Sequence, residues 1–517
     1  MILISYLNTL ARHLEAQNIS SRQKRQEIFT MAKLLILVTL TILAAMAESQ
    51  RLGKVDFRKF MNRRDPFPEP QNPPPSTSNI VERFITQRLD NFDPVNDDTW
   101  EQRYLMTDEH FETGGCIFLF LSGEWSVTEY RLENSLMAEM AADLNCYIFY
   151  LEHRYFGESR PTPNVTDENL RFLTIDQALA DTAHFVDFVK DEFPGAEDAP
   201  VIVIGGHYSA SLAMWFRQSY PALADFTWAS SAPTLAIADH FQYKELSGAV
   251  YRQVGGNECY NVIERGFAEM EEMVQYDRLV YLSDMFNLCD DIEGELDIQM
   301  FFSTLSEFFS LLAQFDVYAN VEGVCDLMLS DEHDTPAEAV AAVVLFLAGE
   351  ECIPVDYDDI IEADRQTGWD DPAVAGGFRQ YTYMACTQFG WYHSSRSRFQ
   401  PYGSSFPVEF IFQACEDVFG DAYDSVTMLQ NVQRFNNLRG GLTPAATNVL
   451  YVHGQFDPWR SIGVQTSNHP TTPAIIIERG SQGVDLGPST DLDSDAVAAA
   501  KVQIREIITD FVSDFRA

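Results

Sequence analysis

The apolar positions of this 517-residue chain follow two different rhythms. Between residues 117 and 204, short continuous apolar runs alternate with helical ones. Ile117-Phe118-Leu119-Phe120-Leu121 ends at Ser122-Gly123, and Tyr147-Ile148-Phe149-Tyr150-Leu151 ends at Glu152-His153-Arg154. Val201-Ile202-Val203-Ile204 ends at Gly205-Gly206. Such runs, bounded by small or polar residues, mark strands covered on both faces. Between them Leu136, Met137, Met140 and Ala141 recur at helical spacing, as do the apolar residues from Ala178 to Val189. The spacing predicts an α/β fold in which helices cover a mostly parallel sheet.

Residues from about 236 to 370 show the helical rhythm with few strand candidates. Phe301, Leu305, Phe308, Phe309 and Leu312 share one helix face, which is expected to be buried. The strand signal returns at Val449-Leu450-Tyr451-Val452 and Ala474-Ile475-Ile476-Ile477, and a last helix runs from Ala496 to about Phe515. The expected organisation is a first α/β part over 80–235, a helical cap insertion over 236–370 and a second α/β part over 371–517. Ordered structure is expected to begin near Phe84 or Leu89.

The N-terminal region adds a compartment. Lys33 precedes an apolar run from Leu34 to Ala44, and Ala45-Met46-Ala47 supplies a small-x-small cleavage pattern, so residues 31–47 read as a secretory signal peptide. The run is shorter than the ~20 residues that a membrane span needs. Residues 1–30 read as an upstream extension, with Met31 the natural start. Residues 48–79 carry Arg63-Arg64, Pro66, Pro68, Pro70 and Pro73-Pro74-Pro75, the composition of a linker or pro-segment. All eight cysteines follow the leader and none has zinc spacing, so disulfides are expected and their pairing stays open. Asn164-Val165-Thr166 is a glycosylation sequon. A secreted or lysosomal glycoprotein is expected.

Charge narrows the partners. The chain has 35 Lys+Arg and 77 Asp+Glu, a net charge of −42. Residues 1–79 hold 11 basic and 6 acidic side chains, so the remainder holds 24 and 71. That field repels phosphate backbones and anionic headgroups. Nucleic acid is excluded as a partner, and so is membrane unless the leader stays uncleaved. Tolerance of an acidic lumen is the preferred reading, ahead of attraction of cationic peptides.

The chemistry centres on Gly205-Gly206-His207-Tyr208-Ser209-Ala210. A strand feeds this turn, and a helical pattern leaves it at Ser211-Leu212-Ala213-Met214-Trp215-Phe216. Strand, small-residue turn and helix form the layout of a nucleophile elbow in an α/β-hydrolase, but His207 stands where serine belongs. The triad acid should follow a later strand, and Asp457 does, on the loop after Val449–Val452. The base should follow the next strand. Glu478-Arg479-Gly480-Ser481-Gln482-Gly483 follows it and contains no histidine.

Longer motifs carry a resemblance. Leu151-Glu152-His153-Arg154-Tyr155-Phe156-Gly157, Gln177-Ala178-Leu179-Ala180-Asp181, Ala213-Met214-Trp215-Phe216-Arg217 and Ala229-Ser230-Ser231-Ala232-Pro233 are among them. With Cys386-Thr387-Gln388-Phe389-Gly390 and Gly454 to Trp459, they make the chain from about Leu89 resemble one serine peptidase family. Its members include prolylcarboxypeptidase, dipeptidyl peptidase II and thymus-specific serine protease. The resemblance implies an α/β-hydrolase fold with an inserted helical cap, and cleavage near proline in lysosomes or secreted fluids. It puts His207 at the nucleophile position, Gln482 at the histidine position, Gly483 in place of a cysteine, and Asp457 at the retained acid. Backbone N–H groups around Tyr208 and Gly123 are the implied oxyanion donors. The Gln482 amide is able to donate to Asp457, and His453 and His469 read as surface loop histidines.

Three readings follow from the residues. The first is a pseudo-enzyme that binds peptides, proline-containing ones among them, or regulates an active relative. The second is an active peptidase that uses Ser209 or Ser211 as a displaced nucleophile. The third is a structural or storage protein of an acidic lumen. No cofactor or metal is expected, and the expected partners are peptides and a second copy of the chain.

Overall fold

The computed structural model describes residues 76, 79–315, 321–349 and 351–516. The leader and almost all of the Pro-rich segment expected from the sequence lie outside the described residues.

Ten strands are described: β1 Val81–Arg88, β2 Thr99–Thr107, β3 Ile117–Leu121, β4 Tyr147–Leu151, β5 Val201–Gly206, β6 Phe226–Ser230, β7 Ile237–Asp239, β8 Gly390–Tyr392, β9 Val449–Gly454 and β10 Ala474–Ile477. Eight form one sheet in the order β1-β2-β4-β3-β5-β6-β9-β10. β2 runs antiparallel to both its neighbours, and the pairings from β4 to β10 are parallel. This is the α/β-hydrolase fold.

The apolar runs are continuous because alternate residues serve different cores. Ile117, Leu119, Leu121, Val201 and Val203 face one core, packed with the helices Ile175–Glu192 and Tyr208–Ser219. Phe118, Phe120, Ile202 and Ile204 face the other, under the helices Leu136–Leu144 and Asp495–Arg516. Period-2 alternation with both faces covered leaves no polar position in the strand.

The chain leaves this sheet after Ser230 and returns at Val449. Helices Gln242–Val254, Gly256–Gln275, Leu279–Phe286, Glu295–Gln314, Val321–Met328 and Pro336–Ala348 intervene first and enclose a separate apolar core. Phe301, Leu305, Phe308, Phe309 and Leu312 all lie in that core, as their spacing predicts. After Tyr357 most of the packing returns to the sheet side, where Phe435 of the helix Ser425–Arg439 meets Trp215 edge to face, while Tyr402 and Phe406 still join the helical core. The three-residue strands β7 and β8 pair in parallel at the base of the insertion.

All eight cysteines are bridged, as Cys116–Cys146, Cys259–Cys325, Cys289–Cys352 and Cys386–Cys415. Two of the four bridges lie within the helical insertion. Val81–Arg88, which begins ahead of Phe84 and Leu89, adds an antiparallel edge strand to β2. That strand alternates exposed and buried residues only over its last half, which is why its pattern is faint.

Candidate active site

At the end of β5 the backbone turns sharply into the helix Tyr208–Ser219. A Cβ at Gly205 would fall 2.2 Å from the Ser209 carbonyl oxygen, so only glycine allows the helix to cross the strand this closely. His207 takes up the turn with φ 57° and ψ −123°, a conformation that costs a non-glycine residue roughly 1–3 kcal/mol. It is held by its own N–H, which donates to Ser230 O at 2.9 Å. The elbow geometry is present, and it presents an imidazole.

The two displaced-serine candidates are tied elsewhere. The Ser209 hydroxyl accepts from Gly206 N at 3.0 Å and donates to Gly206 O at 3.1 Å. The Ser211 hydroxyl donates to Pro233 O at 2.7 Å. Both side chains are buried inside the elbow.

β3 and β5 are neighbours, so the segments that leave their carboxyl ends carry Gly123 and Tyr208 from adjacent strands. A Cβ at Gly123 would lie 2.4 Å from the Trp125 ring, which keeps that backbone bare. The Tyr208 N–H is the first of its helix and has no intrahelical acceptor. Its phenol is buried and pushed well above 10 by burial, so it stays neutral. The Tyr208 hydroxyl pairs with His153 Nε2 at 3.0 Å, while His153 Nδ1 pairs with Arg154 O at 2.7 Å. A carbonyl can only accept, so the His153 proton sits on Nδ1 and the phenol donates to Nε2. Burial pushes His153 down to about 4, which keeps that ring uncharged.

Asp457 follows β9 and is fully buried. One carboxylate oxygen accepts from Trp459 N at 2.9 Å, capping the short turn Pro458–Ile462. Its Oδ2 has no hydrogen-bond partner of good geometry, although the Ser231 hydroxyl lies beside the carboxylate. Burial raises the carboxyl to about 6, against the Trp459 N–H and nearby His207, which pull it down. The folded protein therefore keeps this proton where the unfolded chain, with an ordinary value of 3.8, has lost it. Stability contributed here is present at low pH and falls as the pH rises from about 4 through 6. Asp457→Asn removes the titration. Relative to wild type the variant is expected to gain up to about 3 kcal/mol between pH 4 and pH 7, read by chemical denaturation at both values. Parallel stability profiles would acquit Asp457.

Gln482 lies after β10 and makes no hydrogen bond to Asp457. Its backbone N–H donates to Gln314 O at 3.0 Å, and its Oε1 accepts from Gln314 Nε2 at 2.5 Å. The Gln482 Nε2 is buried without a partner. The expected donation to Asp457 is therefore not made, because the cap residue Gln314 holds the Gln482 amide. Gln314 Oε1 in turn accepts from the Tyr243 hydroxyl at 2.6 Å and from Trp459 Nε1 at 3.0 Å. His453 corrects another expectation. It is the fifth residue of β9 and fully buried, since the strand continues past Val452, whereas His469 is exposed as expected.

The cap contributes residues that the sequence did not mark. A cleft of ≈ 280 Å³ opens over the elbow, with Glu124, His207, Trp391 and Trp459 at its base and Tyr243, Glu307 and His393 from the cap side. The Lys244 ammonium donates to Glu307 Oε1 at 2.7 Å, and His393 Nδ1 meets the same oxygen at 3.0 Å. Burial would raise Glu307, but Lys244 and His393 outweigh it and hold it at about 2. His393 stacks flat on Tyr243 at 3.6 Å and is pushed below 6.5 by burial, against the pull of Glu307. His240 Nε2 pairs with the Ser461 hydroxyl at 2.7 Å, and burial drives this ring well below 6.5. No group of His, Cys, Asp and Glu among the described residues is arranged to hold a metal ion.

The Serine carboxypeptidase S28 profile matches residues 87–504. The chain belongs to the S28 serine carboxypeptidase family. It is 27% identical over 509 residues to a putative serine protease of Caenorhabditis elegans, covering 92% of this chain and 98% of that protein. The thymus-specific serine protease of Mus musculus is 28% identical over 452 residues, covering 84% and 88%. The lysosomal Pro-X carboxypeptidase of Bos taurus is 26% identical over 470 residues, again covering 84% and 88%. Among solved structures, a proline iminopeptidase of Mycobacterium smegmatis aligns with 84% of this chain and 99% of its own. That alignment has 12% identity and a TM-score of 0.35.

Proposed function

We propose that this S28 family member is a peptide-binding pseudo-peptidase of the lysosome or the extracellular space. The carrying observation is the pairing of an intact elbow with an imidazole at its tip, His207, and of an acid, Asp457, with no imidazole on it. Acyl transfer needs a hydroxyl or thiol activated by a base that a third group orients. The elbow does not supply the first: its tip carries the His207 imidazole, and the buried Ser209 and Ser211 hydroxyls are bonded to Gly206 and Pro233.

With serine and histidine both replaced, only ~10³–10⁴-fold catalysis over water remains from an oxyanion hole and binding. That is too little for a peptidase. The open cleft, with aromatic walls and fixed charges, supports retained binding over a storage role. A secretory leader, four disulfides and the part-exposed sequon residue Asn164 support a lysosomal or secreted location.

The test uses the wild-type protein. It is expected to leave prolyl peptides uncleaved, to take no fluorophosphonate label at any serine, and to show a raised thermal midpoint with proline-containing peptides. Cleavage together with a labelled serine would return the protein to the active peptidases. Absence of any stabilisation by peptides would favour the storage role.

A further inference from the structure

The acidic groups lining the cleft are Glu124 and Glu307, and they differ in one respect. Glu307 is already neutralised, with Lys244 at 2.7 Å and His393 at 3.0 Å. Glu124 is not. It is 3% exposed, its Oε2 has no hydrogen-bond partner, and the His207 Nδ1 stands 3.6 Å from its Oε1. That separation is beyond hydrogen-bond range. The His207 Nε2 also lacks a partner. A buried carboxylate without a donor is costly, and a cation with N–H groups removes that cost.

The surroundings favour a compact cation. His207 meets Trp459 edge to face at 4.5 Å, and Trp391 crosses Trp459 at 5.8 Å, so aromatic rings wall the space next to the carboxylate. Ammonium groups are tolerated beside such rings, and anions are not. The excess of acidic side chains beyond residue 79 adds a field of the same preference.

We propose that Glu124 is the anchor for a primary ammonium, the free α-amino end of a short peptide, which donates to its carboxylate in the cleft. This rests on the peptide-binding reading and names which end of the peptide lies deepest. The role is binding only, and no covalent step is involved.

Calorimetric titration decides it, with the tripeptide Ala-Pro-Phe, its N-acetyl form and its C-terminal amide as probes. In wild type, N-acetylation is expected to weaken binding at least ~10-fold and amidation less than ~2-fold. In Glu124→Gln, an isosteric change whose folding is checked by its thermal midpoint, the free and acetylated peptides are expected to bind within ~2-fold of each other. Equal binding of the free and acetylated forms by wild type would overturn the proposal, whether or not the variant folds. So would loss on amidation instead of acetylation.

n-Butylammonium and neutral butyramide separate the two layers. If no peptide binds while wild type, but not Glu124→Gln, retains butylammonium over butyramide, the peptide reading fails and the ammonium site stands. If neither amine nor peptide is preferred over its neutral form, the ammonium site fails.

Discussion

The double variant His207→Ser with Gln482→His is expected to hydrolyse prolyl peptides at least ~10²-fold faster than wild type. It is also expected to take a fluorophosphonate label at position 207. Neither single variant is expected to do either, because a triad serine and histidine act as a unit and losing one costs about as much as losing both, ~10⁶-fold in rate. The backbone is ready for the change. Residue 207 already stands at φ 57° at the end of β5, the strand next to the β3 that leads into Gly123.

A histidine at 482 has a vacant acceptor in Asp457 Oδ2, but it must abandon the contact that Gln482 makes with Gln314. The Gln314 Nε2 then loses its acceptor, which costs about 1–3 kcal/mol for a buried polar group. A lower thermal midpoint is therefore expected alongside the gained activity. If the double variant folds and stays unlabelled, the elbow and Asp457 are not in a productive arrangement.

The second large effect is on stability. Arg154→Met is expected to cost about 3–5 kcal/mol, because it leaves Asp181 buried without its cation. Arg154 Nε donates to Asp181 Oδ2 at 2.6 Å and its NH2 group to Oδ1 at 2.7 Å, with both side chains essentially sealed from solvent. The third nitrogen donates to Leu89 O at 3.2 Å and Phe172 O at 2.8 Å, so one guanidinium ties four segments together. Asp181→Leu added to Arg154→Met removes the stranded carboxylate and is expected to recover part of the loss. Denaturant midpoints of the two variants measure this. A single variant as stable as wild type would show that the pair contributes nothing net.

The sequence was most legible where one strand carries its own signal. The runs at 117–121, 147–151 and 201–204 became β3, β4 and β5 because a strand buried on both faces has no polar position to obscure it. The motifs around Arg154 and Asp181 were visible as motifs, yet their union across 27 residues was not. β1 and β2 escaped notice because their exposed positions dilute the pattern.

At the site, His207 and Asp457 were readable because each ends a strand, the place where α/β sheets collect their ligands. Glu124 follows Gly123 at the end of β3 and was open to the same logic. Gln314, Glu307 and His393 were not. They come from the cap and the segment after it, with no local mark, and only folding brings Gln314 to Gln482, 168 residues away. The orientation of Gln482 was missed for that reason.

The positive φ at position 207 carries a consequence of its own. The strain belongs to the backbone, which is fixed by the close crossing at Gly205 and the bond to Ser230 O, and His and Ser, neither branched at Cβ, bear a similar cost there. Exchanging histidine for serine at this position thus leaves the backbone cost nearly unchanged while being decisive for reactivity. Shape and reactivity are separable traits at this point of the chain. A lineage can lose or regain one without disturbing the other.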